Sequence, residues 1–210
     1  MEQSFLSFNK NMRYYIDQLF VLISEQTRGI TLSDILIVIL VAALLTLLTF
    51  AVQLKRGKEI SKEQIQLSFL IFAYAGILLL ITVFRRPAGS RAQLVRADIN
   101  LGSYKGKFIS LKQFIYSILN VLLFVPWGFF IRLKRREEGF IKAVVMTGLT
   151  GFLTSFAIET IQYDTGRGYF ELTDLVTNVS GTLLGAILAS IVILIYRIFK
   201  QEREYEQEET

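Results

Sequence analysis

The chain has no cysteine, no histidine and only two prolines among its 210 residues. Without cysteine there is no disulfide, no thiol nucleophile and no thiolate metal site. Without histidine there is no imidazole base, so a Ser-His mechanism is excluded, and zinc sites built from either residue go with it. Chemistry must therefore rest on carboxylates, hydroxyls, amides, Lys, Arg or Tyr, with a hard cation on oxygen ligands as the remaining metal option. Base-stacking motifs are lacking too, so the formal charge of +5 makes no case for nucleic acid. That charge suits a protein that meets anionic lipid headgroups.

Apolar residues, by contrast, make up 52% of the chain and gather in long runs instead of being spread as a soluble core requires. Five runs each approach the roughly 20 residues needed to cross hydrocarbon. They are approximately Ser33–Leu54, Gln64–Phe84, Leu111–Leu133, Ile141–Ile161 and Thr173–Phe199. Thr31 with Asp34, Ser61 with Gln64 and Ser110 with Gln113 place a capping-box pattern at the foot of the first three. The expected fold is all-α, a polytopic membrane protein with about five transmembrane helices over residues 31–200.

Residues 1–30 are too polar and too long to be a cleavable signal peptide. Phe5, Phe8, Met12, Tyr15, Ile16, Leu19 and Ile23 recur at spacings of three and four. That spacing predicts an amphipathic helix, lying in the membrane interface or packed on a neighbouring loop. Residues 201–210, QEREYEQEET, are acidic and unpatterned, and disorder is expected there. Five spans put the termini on opposite faces. Lys and Arg divide almost evenly between those faces, but the set away from the N-terminus crowds into short turns beside the spans. The positive-inside rule then favours a cytoplasmic-membrane protein with its N-terminus outside and its C-terminus in the cytoplasm.

Helical spacing puts Gly148, Ser155, Glu159 and Gln162 on one side of the fourth span. Asp174, Asn178, Gly181 and Gly185 share a side of the fifth. With alternating spans, Arg85 at the end of the second, Asn120 in the third, Glu159 with Gln162, and Asp174 with Asn178 all meet at the N-terminal face. The loop bearing Arg96, Asp98 and Asn100, and the turn bearing Arg167, lie there too. Ionisable groups at a membrane edge are costly and are either satisfied by one another or used. A structural account of each is open. Thr173 is a candidate N-cap that would explain Asp174, Arg85 or Arg167 is a candidate ion-pair partner for Glu159, and Asn120 and Asn178 are candidate interhelical links. Gly128, Gly181 and Gly185 suit close helix packing, and Pro126 should kink the third span and free the Leu122 carbonyl.

At Asn120-Val-Leu-Leu-Phe124-Val-Pro126-Trp-Gly128, at Ser155 through Glu159 to Gln162, and at Thr173-Asp174 through Asn178 to Gly181 and Gly185, the chain resembles the VanZ-like family. The resemblance spans roughly residues 80–190. Asn100-Leu-Gly-Ser-Tyr104 is similar to the family's Asn-Leu-x-Pro-Phe element but lacks its proline. The resemblance implies kinship with a small membrane protein associated with low-level resistance to teicoplanin, a lipid-bearing glycopeptide. It implies no reaction.

Two classes of function fit these residues. In an intramembrane enzyme acting on a lipid-linked envelope substrate, Glu159 is the candidate general acid or base, and Asp174 orients it or shares a cation. Mg²⁺ or Ca²⁺ would suit such a pair, though the spacing fixes no ligand count. Arg85 and Arg167 would hold an anionic headgroup, with Asn100, Asn120, Gln162 and Asn178 positioning its polar atoms. In a non-catalytic module the same pocket would bind membrane lipid or a lipoglycopeptide, or organise partner proteins. Transport is a weaker third option, because the spans show no internal repeat.

Overall fold

The computed structural model describes residues 2–104, 107–108 and 110–208. Helix α1 covers Glu2–Thr27, α2 Leu32–Lys55 and α3 Lys62–Leu79, the last continuing as a π turn over Leu80–Phe84. After a long loop come α4 (Leu111–Lys134), α5 (Phe140–Asp164) and α6 (Leu172–Glu208). Two-residue strands β1 (Val95–Arg96), β2 (Ser103–Tyr104), β3 (Lys107–Phe108) and β4 (Phe170–Glu171) punctuate the loops. From α2 onward, five helices are long and apolar enough to cross a membrane.

The helix starts follow their local chemistry. At α2 the Thr31 hydroxyl accepts the Asp34 N–H and the Asp34 carboxylate accepts the Thr31 N–H, a complete capping box. Ser61 and Gln64 do the same for α3. At α4 Ser110 accepts the Gln113 N–H, but the Ser110 N–H goes to the Gly102 carbonyl instead of to Gln113. Gly102 has a positive φ of 76°, and a Cβ there would overlap the backbone of Ser110 and Phe114. The box is half-made because a tertiary contact takes the other half.

Helices α4 and α6 form the spine of the bundle. A Cβ at Gly181 would overlap the Val121 carbonyl, one at Gly185 the Val125 carbonyl, and one at Gly128 the Thr182 carbonyl. Three missing side chains thus allow backbone-to-backbone contact between α4 and α6. Around that seam Ile71, Leu78 and Val83 of α3 and its π turn meet Phe124, Trp127 and Ile131 of α4 and Ile158 of α5 in one buried cluster. Helix α2 sits outermost, against α3, and its Leu40, Leu47 and Leu54 recur every seventh residue on an exposed stripe. In a membrane protein such a stripe faces lipid, which solvates leucine as well as a protein core does.

One expectation changes. The acidic residues up to Glu208 continue α6 as helix instead of forming an unstructured tail. At Pro126, α4 runs through without a break, and the Tyr74 hydroxyl of α3 donates to the Leu123 carbonyl (2.7 Å), beside the Leu122 carbonyl that proline deprives of an N–H. The face of α1 assigned to Phe5, Phe8, Met12 and Tyr15 lies, for its side chains, outside the described residues. Nearer its end, Leu22 is buried and Phe20 and Val21 are exposed.

Candidate functional site

The ends of the spans on the N-terminal side enclose a cavity of about 460 Å³. Each wall comes from a different element. From α5 come Ile158, Glu159 and Gln162, and from α6 Asp174 and Asn178. Helix α4 supplies Lys112, Gln113, Tyr116, Leu119, Asn120 and Leu123, which is one helical face read at spacings of one, three and four. The π turn and the residues after it give Ile81, Thr82 and Arg86. The loops add Arg91, Arg96, Tyr169 and Glu171, and α1 closes one side with Ile23 and Thr27.

Glu159 is 1% exposed. Its Oε2 accepts the Glu171 N–H (2.9 Å). Asp174 Oδ1 accepts from Asn120 Nδ2 (2.8 Å), which joins α6 to α4. Asn178 Nδ2 donates to Ser155 Oγ (2.9 Å), joining α6 to α5. Arg86 lines the same cavity as both carboxylates. Arg96 pairs with Glu171 (2.9 Å) and stacks over the Tyr169 ring at 4.0 Å, with Arg91 over the same ring at 5.7 Å. Neither Arg86 nor Arg91 has a carboxylate ion-pair partner among the described residues. At the opposite end of the bundle Arg135, Arg136, Lys142 and Arg197 all meet carboxylates.

The π turn explains which arginine enters the cavity. In an uninterrupted α-helix the face of Leu78 would continue through Thr82 and Arg85. The π turn inserts one residue, marked by the Arg85 N–H bonding to the Leu80 carbonyl five residues back (3.0 Å). The face now continues through Val83, 1% exposed, and Arg86. Pro87 has no N–H for the Val83 carbonyl, which takes the Arg86 N–H instead (3.4 Å). The Thr82 carbonyl then lacks its helical donor, and Gln162 Nε2 supplies one from α5 (2.8 Å).

Of the residues singled out in the sequence, Glu159, Asp174, Asn120, Gln162 and Asn178 line this cavity together. Arg85, Arg167 and Asn100 do not. Arg85 Nη1 donates to the Glu25 carbonyl of α1, and burial together with the charge of Arg86 lowers its pKa. Arg167 lies over the Phe84 ring at 5.4 Å, and its carbonyl accepts from Arg86. Neither is the ion-pair partner of Glu159 that the sequence allowed. The Asn100 side chain accepts the Gly102 N–H and shapes the loop. Thr173 is not an N-cap: it sits inside α6, where its hydroxyl accepts the Asn100 N–H (2.9 Å) and donates to the Asp98 carbonyl (3.2 Å). No group of three or more acidic side chains is placed to hold a metal ion among the described residues.

Sequence reasoning missed Arg86, Arg91, Lys112, Tyr116, Tyr169 and Glu171 as cavity residues. For Lys112 and Tyr116 a signal existed, because the Asn120 face of α4 extends back through both at steps of four. For Tyr169 and Glu171 it did not. Their placement depends on β4 pairing in parallel with β1, Val95 opposite Phe170 and Arg96 opposite Glu171.

Comparison with known proteins gives one match. The family model described as VanZ/LLP1 covers residues 35–196, from the first span through most of the fifth. This range includes the first span, which the sequence motifs had left outside. No curated protein and no solved structure matches the chain.

Proposed function

The chain belongs to the VanZ/LLP1 family, and we propose that its cavity receives the anionic headgroup of a lipid-linked envelope molecule at the outer face of the cytoplasmic membrane. The observation that carries this reading is the cavity's composition. Buried Glu159 and half-buried Asp174, amides from three helices, and Arg86 and Arg91 without carboxylate partners among the described residues converge at one end of a bundle of apolar spans. Arginines held in that state suit phosphate or carboxylate, which accept two parallel N–H bonds from a guanidinium.

In this reading Glu159 is the group placed to move a proton. It is shielded from bulk water, fixed through one oxygen by the Glu171 N–H, and opens to the cavity. Asp174 and Asn120 hold the polar atoms of the headgroup, and Arg86 and Arg91 balance its charge. A contribution to teicoplanin-type glycopeptide resistance follows if the bound molecule is an envelope component that the drug engages.

The test is susceptibility of a glycopeptide-sensitive bacterial host expressing the wild type, Glu159→Gln or Glu159→Ala at equal membrane levels. Proton transfer by Glu159 predicts that both variants lose the protective effect. Full protection from Glu159→Gln sinks acid–base chemistry there and leaves a binding module. That second reading is favoured by the interhelical bonds of Asn120 and Asn178, which link helices in the cavity wall whether or not a bond is broken.

A further inference from the structure

We propose that Arg85, Lys112 and Tyr116 form an outer anion subsite at the mouth of the cavity. In the structure Glu25 fills it, its carboxylate on Lys112 and Tyr116 and its carbonyl on Arg85, and a phosphate-bearing lipid headgroup takes Glu25's place on entry. This rests on the headgroup-binding reading above and adds where the anion first docks.

Three donors from two elements converge on one residue of α1. The Tyr116 hydroxyl donates to Glu25 Oε2 (3.1 Å), Lys112 Nζ lies 3.7 Å from the same oxygen, and Arg85 Nη1 donates to the Glu25 carbonyl. Lys112 and Tyr116 also line the main cavity, so the subsite is continuous with it. Arg85 Nε is buried and has no hydrogen-bond partner, a donor that Glu25 leaves unused. A carboxylate brought from another helix onto a lysine and a tyrosine, with an arginine on the carbonyl of the same residue, occupies the position that an entering phosphate monoanion would take.

The contact is built to exchange. The Glu25 and Lys112 side chains are 48% and 63% exposed, and an ion pair so open to solvent contributes little to stability. Among the spans α1 packs mainly against α4, and it lies outside the stretch that matches the family. Ile23 and Thr27 of the same turn form part of the cavity wall, so displacing Glu25 also opens that side.

The experiment measures retention of fluorescent lipid by purified full-length protein. The probes are vesicles of phosphatidylcholine with or without phosphatidic acid, and inorganic phosphate is added as competitor. Glu25→Gln should raise retention of phosphatidic acid several-fold, and Lys112→Gln and Tyr116→Phe should each lower it, with phosphatidylcholine unchanged throughout. Competition by millimolar phosphate identifies the phosphate group itself as the docked species, and no competition assigns the subsite to the lipid-borne form. If the wild type prefers phosphatidic acid but Glu25→Gln leaves that preference unchanged or weakens it, the outer subsite is wrong while the cavity reading stands. If the wild type shows no preference, the headgroup reading fails and the subsite fails with it.

Discussion

At the scale of single residues, the cavity depends on side chains that complete one another's hydrogen bonds. Glu159→Gln keeps an oxygen for the Glu171 N–H, whereas Glu159→Ala leaves that N–H unpaired. The alanine variant should lose about 1–3 kcal/mol of stability and the glutamine variant much less, read as thermal unfolding in detergent. Gln162→Leu should cost about as much as Glu159→Ala, because the Thr82 carbonyl loses the donor that replaced its helical one. Glu159, Asp174, Asn120, Gln162 and Asn178 were legible in the sequence because polar side chains inside apolar runs are few and helical spacing fixes their faces. Asn120 and Asn178 were legible as interhelical links, but the role of Thr173 was not, since Thr173 as an N-cap and Thr173 as a loop anchor look identical until Asn100 is placed beside it.

At the scale of elements, one extra residue in the π turn and three glycines set the geometry. Deleting Leu80 should turn the π turn into ordinary helix while keeping Val83 and Arg86 on the Leu78 face. The Arg86 N–H is then free to return to the Thr82 carbonyl. In that background Gln162→Leu should be close to neutral, a coupling that a double-mutant cycle of unfolding free energies detects. Equal costs in both backgrounds would show that Gln162 does not compensate the π turn. Gly181→Ala should destabilise by about 1–3 kcal/mol, since its methyl meets the Val121 carbonyl, whereas Gly139→Ala, with open space around it, should not. The spans and their starts could be read from apolar runs and capping boxes. The π turn escaped because it arises from Pro87 and from a donor on another helix. The β1–β4 pair escaped because two residues per strand leave no periodicity.

At the scale of the whole molecule, the two ends of the bundle differ in kind. At one end Arg135, Arg136 and Arg197 pair with glutamates, and at the other Arg86 and Arg91 line a cavity without carboxylate partners among the described residues. The gathering of in-span polar residues at one face was legible once five alternating spans were counted, because alternation assigns each polar cluster to a face, whereas the pairing of the arginines was not. The absence of native cysteine makes the orientation directly measurable. Ser90→Cys and Glu137→Cys, both exposed and at opposite ends, should react with an impermeant thiol reagent from outside and inside the cell respectively. Labelling of Glu137→Cys from outside would reverse the proposed orientation.

In the proposed function, side chains from separate spans build one chamber for an anionic headgroup. The lipid that co-purifies with the wild type and with the Arg86→Gln, Arg91→Gln double variant, quantified by native mass spectrometry in the same detergent, tests it most directly. Phosphate-bearing lipid should be bound to the wild type and fall by roughly tenfold or more in the variant, as expected when charge-assisted bonds are removed. Equal amounts of lipid on both proteins, or only neutral lipid on the wild type, would contradict it.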